Sequence, residues 1–432
     1  MMIGRLALAL LLAGCGRVGF QEIAGHSGDL DAGGGGGSNA ITVVVTSDET
    51  STAPAGAPIA GATVVIERGT GALPERTTTD ATGTVQFTAA GVAAFHIAFR
   101  SGPGWSVYSV QSPPSGTIAL GGRSLTTTFS HGMKFALPDN GSSNFWLNLG
   151  ASCAISPKYG SATFTLGYVP ACEGKTTRVI AFTTAPGTTQ DRYIDVGNVT
   201  LANGAMKTVT GNYAQPTALT VQLTGLPGLV SSAHAGIYAR AGLDLTALGG
   251  DYNSVATPGG GTVNVPTSAA PGGNTLWVST IGDLPIQYES SSDRVVPATI
   301  AAQMTFDART MVPLFSQLTL TAPPSVSWTG GAGQGTILAL EITTGSLQWD
   351  AYLPPSASSA RFPSLPGDLG VPVPASYDFA SLARLDIPGA TTADVARTID
   401  QTWPSWPSDD AVFPAAGGGM ARIVYSIGLG PP

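Results

Sequence analysis

Side chains able to do chemistry are few and scattered in this sequence. His26, His96, His131 and His234 are the only imidazoles in 432 residues, and imidazole is the commonest neutral-pH base and metal ligand. No two of them stand at ligand spacing, and the patterns H-E-x-x-H, G-x-S-x-G and S-x-x-K are all absent. His26 lies in a stretch poor in large residues. His96 alternates with Phe95, Ile97 and Phe99, which puts it on the solvent phase of a strand, and His234 falls on the polar phase of residues 233–240. Gly174-Lys175-Thr176 copies the end of a phosphate-binding loop, but the earlier glycine would fall at Val169 and strands flank the motif, so it reads as a turn. The sequence therefore predicts no catalytic residue, no metal and no cofactor, and the protein is expected not to be an enzyme.

Aromatic residues give a stronger lead. Trp403-Pro404-Ser405-Trp406-Pro407 sets two indoles in a proline-stiffened stretch, and Asp409 and Asp410 follow directly. Apolar sugar faces stack on such rings while carboxylates accept from sugar hydroxyls, which makes the four residues a candidate glycan platform. The competing expectation is that both rings cover the core of the last sheet. Trp277, Trp328 and Trp349 sit in strand-like runs and are expected in the core.

The first residues read as an address. Arg5 precedes the apolar run Leu6 to Ala13, the layout of a secretory signal, and the run is far shorter than the roughly 20 residues that a membrane-spanning helix needs. Leu12-Ala13-Gly14-Cys15 resembles the lipobox of bacterial lipoproteins. That resemblance implies a diacylglyceryl group on the Cys15 thiol, removal of residues 1–14 and palmitate on the mature first residue. It also implies a membrane partner, since each buried methylene contributes about 0.8 kcal/mol to anchoring. Gly16, rather than Asp, follows the cysteine, which in that family implies sorting to the outer membrane, on its periplasmic face or at the cell surface. Residues 15–40 contain Gly33 to Gly37 and Ser38 and read as a flexible tether.

Export would put the remaining cysteines, Cys153 and Cys172, in an oxidising compartment where a disulfide is expected. Counting by twos from Phe145, Leu147 and Leu149 reaches Cys153, and from Phe164, Leu166 and Tyr168 reaches Cys172. Both thiols can thus point to one layer, and closing a loop of about 20 residues would stabilise the fold by roughly 3 kcal/mol. A zinc site would need four ligands, and no C-x-x-C or neighbouring histidine supplies them.

Hydrophobic residues make up 43% of the chain and charged residues 11%, which excludes disorder and points to large cores. A net charge of −8 without a basic cluster excludes nucleic acid as a partner. Short alternating stretches recur between turn residues: 41–46, 62–67, 84–88 and 95–100, then 163–169, 178–183 and 193–201, and finally 421–427. The pattern predicts an all-β protein of tandem antiparallel β-sandwiches, with one helix at 392–400. Fresh strand runs open at Leu125, Leu219 and Leu318. They divide the chain into a signal (1–14), a tether (15–40) and sandwiches at 41–122, 123–217 (holding the disulfide), 218–315 and 316–432.

The first sandwich has a family likeness. Gly56-Ala57-Pro58-Ile59-Ala60-Gly61-Ala62-Thr63-Val64, followed by Thr78-Thr79-Asp80-Ala81-Thr82-Gly83-Thr84-Val85-Gln86-Phe87, resembles the carboxypeptidase regulatory-like domain. The resemblance implies a transthyretin-like sandwich over about residues 41–120 and a non-catalytic module. The usual glycine-plus-aromatic ending is replaced here by Phe95-His96-Ile97-Ala98-Phe99. The sequence as a whole predicts a surface or periplasmic protein of structural or adhesion type, its partners being cell-envelope proteins or glycans, with carbohydrate binding as the alternative.

Overall fold

The computed structural model describes residues 39–426 except 48–55, 70–71, 122–130, 142–144, 150–161, 169–172, 185–190, 242–243, 252–258, 268–272, 286–287, 300, 322–324, 332–334, 375–376 and 387–417. Cys15, Cys153, Cys172, Trp403, Trp406, Asp409, Asp410, His26, the Leu125 run and the helix expected at 392–400 lie outside the described residues, as do the signal and nearly all of the tether.

The fold is nearly all β. Segment 41–122 holds β1 (Ala40–Thr46), β2 (Thr63–Arg68), β3 (Glu75–Thr78), β4 (Thr84–Thr88), β5 (Val92–Ser101), β6 (Gly104–Gln111) and β7 (Gly116–Gly121). Sheet β4-β1-β7 lies over the strands β3-β2-β5-β6. Ile41, Val43, Val45, Val85, Ile118 and Leu120 from the first meet Val64, Ile66, Phe95, Ile97 and Tyr108 from the second. β1 alternates buried and half-buried residues along its whole length, as a strand with one core face should.

The Asp80 to Gly83 turn forms as its residue types dictate. Asp80 Oδ1 accepts from Thr82 N at 2.8 Å and Thr84 N at 2.9 Å, and Gly83 N donates back to Asp80 O at 3.0 Å. Gly83 has φ of +74°, and a Cβ there would collide with Val45 O. Val85 is then buried, and Phe87 packs edge-on to Phe95 at 5.6 Å between centroids.

Segment 123–217 holds β8 (His131–Ala136), β9 (Phe145–Leu149), β10 (Thr163–Tyr168), β11 (Thr176–Thr184), β12 (Asp191–Thr200) and β13 (Met206–Thr208). Its two sheets are β10-β8-β13 and β12-β11-β9, and they enclose Phe135, Leu166, Tyr168, Val179 and Ile194. The strands expected to lead to the two cysteines, β9 and β10, thus belong to opposite sheets.

Segment 218–315 holds β14 (Thr217–Thr224), β15 (Val230–Ala241), β16 (Asp244–Asp251), β17 (Gly260–Thr267), β18 (Gly273–Gly282), β19 (Tyr288–Thr299) and β20 (Gln303–Asp307). Its core joins Leu219, Val221 and Val263 to Ile237, Leu276 and Val278, and takes in Ile180 and Phe182 of β11. Segment 316–432 holds β21 (Phe315–Thr321), β22 (Ser325–Gly330), β23 (Ile337–Thr344), β24 (Leu347–Leu353), β25 (Ser359–Arg361), β26 (Phe379–Asp386) and β27 (Gly418–Ser426). Here β21-β22-β25 packs over β27, β26, β23 and β24, around Phe315, Trp328, Leu340, Trp349 and Leu382.

One sheet threads through three of these segments. Fifteen strands follow the order β20-β14-β17-β16-β15-β18-β19-β27-β26-β23-β24-β6-β5-β2-β3. β19 pairs antiparallel with β27 from Tyr288↔Tyr425 to Val295↔Gly418, and β24 pairs parallel with β6 from Leu347↔Trp105 to Tyr352↔Val110. The chain crossing from the third segment to the fourth is fastened as it passes: Ser290 Oγ donates to Phe315 O at 2.8 Å and Ser292 Oγ to Val312 O at 2.5 Å, both serines being fully buried.

Replacing Gly83 with Ala combines a left-handed backbone with a backbone collision, and is expected to destabilise the protein by more than about 1 kcal/mol. Gly61→Ala, at φ +73° but in open space, should cost less. Urea midpoints of the two variants check the difference.

Candidate functional site

The described residues bring together one constellation with the composition of a nucleophile, a base and an acid. Four elements position it. Glu67 is the last but one residue of β2, His96 stands mid-β5, Ser109 opposes it on β6, and Trp349 reaches across from β24. His96 Nδ1 lies 2.9 Å from Ser109 Oγ, and His96 Nε2 lies 3.4 Å from Glu67 Oε1. Trp349 Nε1 donates to the same Ser109 Oγ at 3.0 Å.

The indole fixes one proton of this network. An indole N–H can only donate, so Ser109 Oγ accepts from Trp349, and the hydroxyl keeps both its proton and a second lone pair for His96 Nδ1. In the tautomer with the proton on Nε2, that proton lies towards Glu67 and Nδ1 accepts from Ser109. The hydrogen bond from His96 holds the Glu67 carboxyl below the usual carboxylate range, against an opposing effect of burial.

A serine hydrolase needs its hydroxyl open to substrate. Here Ser109 is 2% exposed, His96 6% and Trp349 1%, and the indole occupies the serine oxygen. Phe362 stands edge-on to Trp349 at 5.4 Å. Outside this plug, Arg76 Nη1 of β3 pairs with Asp368 Oδ2 at 2.6 Å, which holds the 367–369 turn of the last segment to the first sandwich. The constellation is therefore a buried polar strut between segments 240 residues apart.

His96 corrects the expectation that it faces solvent. Period-2 alternation placed it opposite Phe95, Ile97 and Phe99, which is right, but the outer face of β5 is also covered. The signal was on the neighbouring strand. In Gly104-Trp105-Ser106-Val107-Tyr108-Ser109-Val110, large apolar residues occupy both phases, the mark of a strand buried on two faces.

A second cluster closes one end of the second sandwich. Glu173 Oε2 accepts from Tyr168 Oη at 2.5 Å and lies 3.1 Å from His131 Nδ1, while Asn203 N donates to the carboxylate at 3.1 Å. The His131 ring stands edge-on to Tyr168 at 5.8 Å. Hydrogen bonds from Tyr168 and Asn203, with His131 alongside, hold the Glu173 carboxyl below its ordinary value, whereas burial and the same carboxylate push the Tyr168 hydroxyl up. Glu173 and Gly174 form the expected turn, Gly174 having φ of +76°.

The remaining sequence candidates are dispersed. His234 on β15 and Trp277 on β18 are half-buried, where a surface and a core position had been expected, whereas Trp328 and Trp349 are buried as expected. No group of three His, Cys, Asp or Glu able to hold a metal occurs among the described residues. No helix among them is long and apolar enough to cross a membrane.

No protein family matches this chain, and no curated protein matches it. Among solved structures it is similar to the Bacillus anthracis TIE protein at 12% identity and TM-score 0.14, covering 62% of this chain and 50% of that one. The Streptococcal ancillary pilin gives 10% identity and TM-score 0.14, over 62% of this chain and 98% of that one. Invasin, a bacterial integrin-binding protein, gives 10% and 0.10, over 80% and 76%. The chain spans half the length of the first of these.

Ser109→Ala would strand the Trp349 N–H and remove the partner of His96 Nδ1. It is expected to cost about 1–3 kcal/mol in urea denaturation, with no opened site. The Glu173 clamp adds a pH dependence. A carboxyl lowered by folding stabilises the native state above its ordinary value of 4.5 and loses that contribution as pH falls through the folded value. The melting-temperature gap between wild type and Glu173→Gln should therefore be largest near neutrality and close as the pH drops below 4.5.

Proposed function

We propose that this chain is a non-catalytic cell-envelope lipoprotein whose body is a stiff structural or adhesion-type scaffold. The observation that carries this reading is that, of its triad-like groups, His96, Ser109 and Trp349 are buried within one continuous sheet, with Glu67 at the half-exposed end of the strut, which favours shape and surface as what the body offers. The lipobox-like Leu12-Ala13-Gly14-Cys15 supplies the anchor and residues 15–40 the spacer that holds the body off the membrane. Its location on this reading is the outer membrane, at the cell surface or facing the periplasm, with Cys153 and Cys172 bridged.

The seven strands of the first sandwich, with β1 between β4 and β7, are consistent with the carboxypeptidase regulatory-like resemblance drawn from Gly56 to Val64 and Thr78 to Phe87. That resemblance supports a module that presents and spaces rather than one that cleaves. A second reading rests on Trp403, Trp406, Asp409 and Asp410, whose types suit stacking on sugar rings and accepting from their hydroxyls.

Both readings are testable on protein expressed in a diderm bacterial host. Mass spectrometry of the mature N-terminus is expected to give a lipidated Cys15 and no residues 1–14, and Cys15→Ser should release the protein from the membrane fraction. An unmodified thiol with residues 1–14 attached would overturn the anchor. On glycan arrays, binding that falls at least about tenfold in Trp406→Ala would favour the second reading over the first, and silence of the wild type would dispose of it.

A further inference from the structure

The edge strand of the first sandwich is built to be covered. β6 is buried along nearly its whole length, yet within segment 41–122 it has a partner on one side only, β5. Its other edge is filled by β24, from Leu347↔Trp105 to Tyr352↔Val110. Both faces of that edge also draw on the last segment. Ile337, Ala339, Tyr352, Ala383 and Leu385 enter the core between β1 and β5, while Ala98, Trp105 and Val107 enter the core of the last segment.

Two further contacts tie the same seam, and a third joins the two segments at β3, three strands away. Trp105 N donates to Ser346 O at 2.7 Å, Trp349 donates to Ser109 within the strut, and Arg76 pairs with Asp368. Gly104 lies so close to the Ser346 carbonyl that a Cβ there would collide with it. Without the last segment, β6 would expose an apolar strand with an unpaired ladder edge, which is an unstable and aggregation-prone arrangement.

We propose that the first sandwich is conditional: β23, β24 and β26 of the last segment complete it from the far end of the chain, and the sandwich next to residue 40 opens whenever that segment undocks. Segments 123–217 and 218–315 are then passengers of this closure, the second sandwich having a core of its own. The device makes the native state of the first sandwich report that the whole chain has arrived. Once released, β6 would be an acceptor edge.

Native-state hydrogen exchange on the intact chain tests this under a rising urea gradient. Amides of β1 and β4, strands whose ladders run to each other and to β7 and not to β24, are expected to share one opening isotherm with amides of β23 and β24. In Gly104→Val, which wedges the seam apart, both sets should lose protection together by at least about tenfold, with β8 and β11 unchanged. Separate isotherms in the wild-type chain, with β1 and β4 still protected where β24 has opened, would overturn the proposal. The wild-type measurement decides the matter even if the glycine variant fails to fold.

Discussion

Six residues of β6 lie in parallel register with six of β24, and the architecture follows from that seam. Parallel strands cannot be joined by a tight turn and need a long crossover. Here the crossover runs from Gln111 to Leu347 and contains two further sandwiches. Their placement is thus tied to a contact between parts of the chain that a hairpin could never have brought together. The polar strut belongs to this seam: a register slip would strand Trp349 Nε1 and Ser109 Oγ in a dry interior, so the hydrogen bonds favour one alignment over its neighbours.

The buried serine and histidine, with a half-exposed glutamate beside them, illustrate why residue types in proximity do not make an active site. The 2.9 Å contact is a hydrogen bond and the 3.4 Å contact an ion-pair distance. What is missing is access, and the indole on the serine oxygen serves stability where a substrate carbonyl would have to approach. The same side chains at a strand end beside a cleft would invite the opposite conclusion.

Much of the fold was legible in the sequence because its signals are local. Alternation gave β1, β4, β10 and β11 to within two residues, and the Asp80 to Gly83 turn forms for the reasons its residues suggest. Fold class followed from the abundance of short strands. The seam was not legible, because pairing between Trp105 and Leu347 leaves no periodic trace; only the double-sided apolarity of residues 104–110 hinted at it. His96 was misplaced for the same reason, since one strand's pattern says which face a residue takes and not what lies over that face. The glycan platform, Cys153 and Cys172 lie outside the described residues.

Ser290 and Ser292 have a mechanical corollary. By gripping Phe315 O and Val312 O they lay the connecting peptide flat against β19, and β19 in turn is stitched to β27. A connection glued down at two carbonyls behaves as a splint, not as a joint. Tension arriving at one end of the body would therefore pass to the other as shear across strand ladders, with little of it absorbed by bending at the boundary between the two domains.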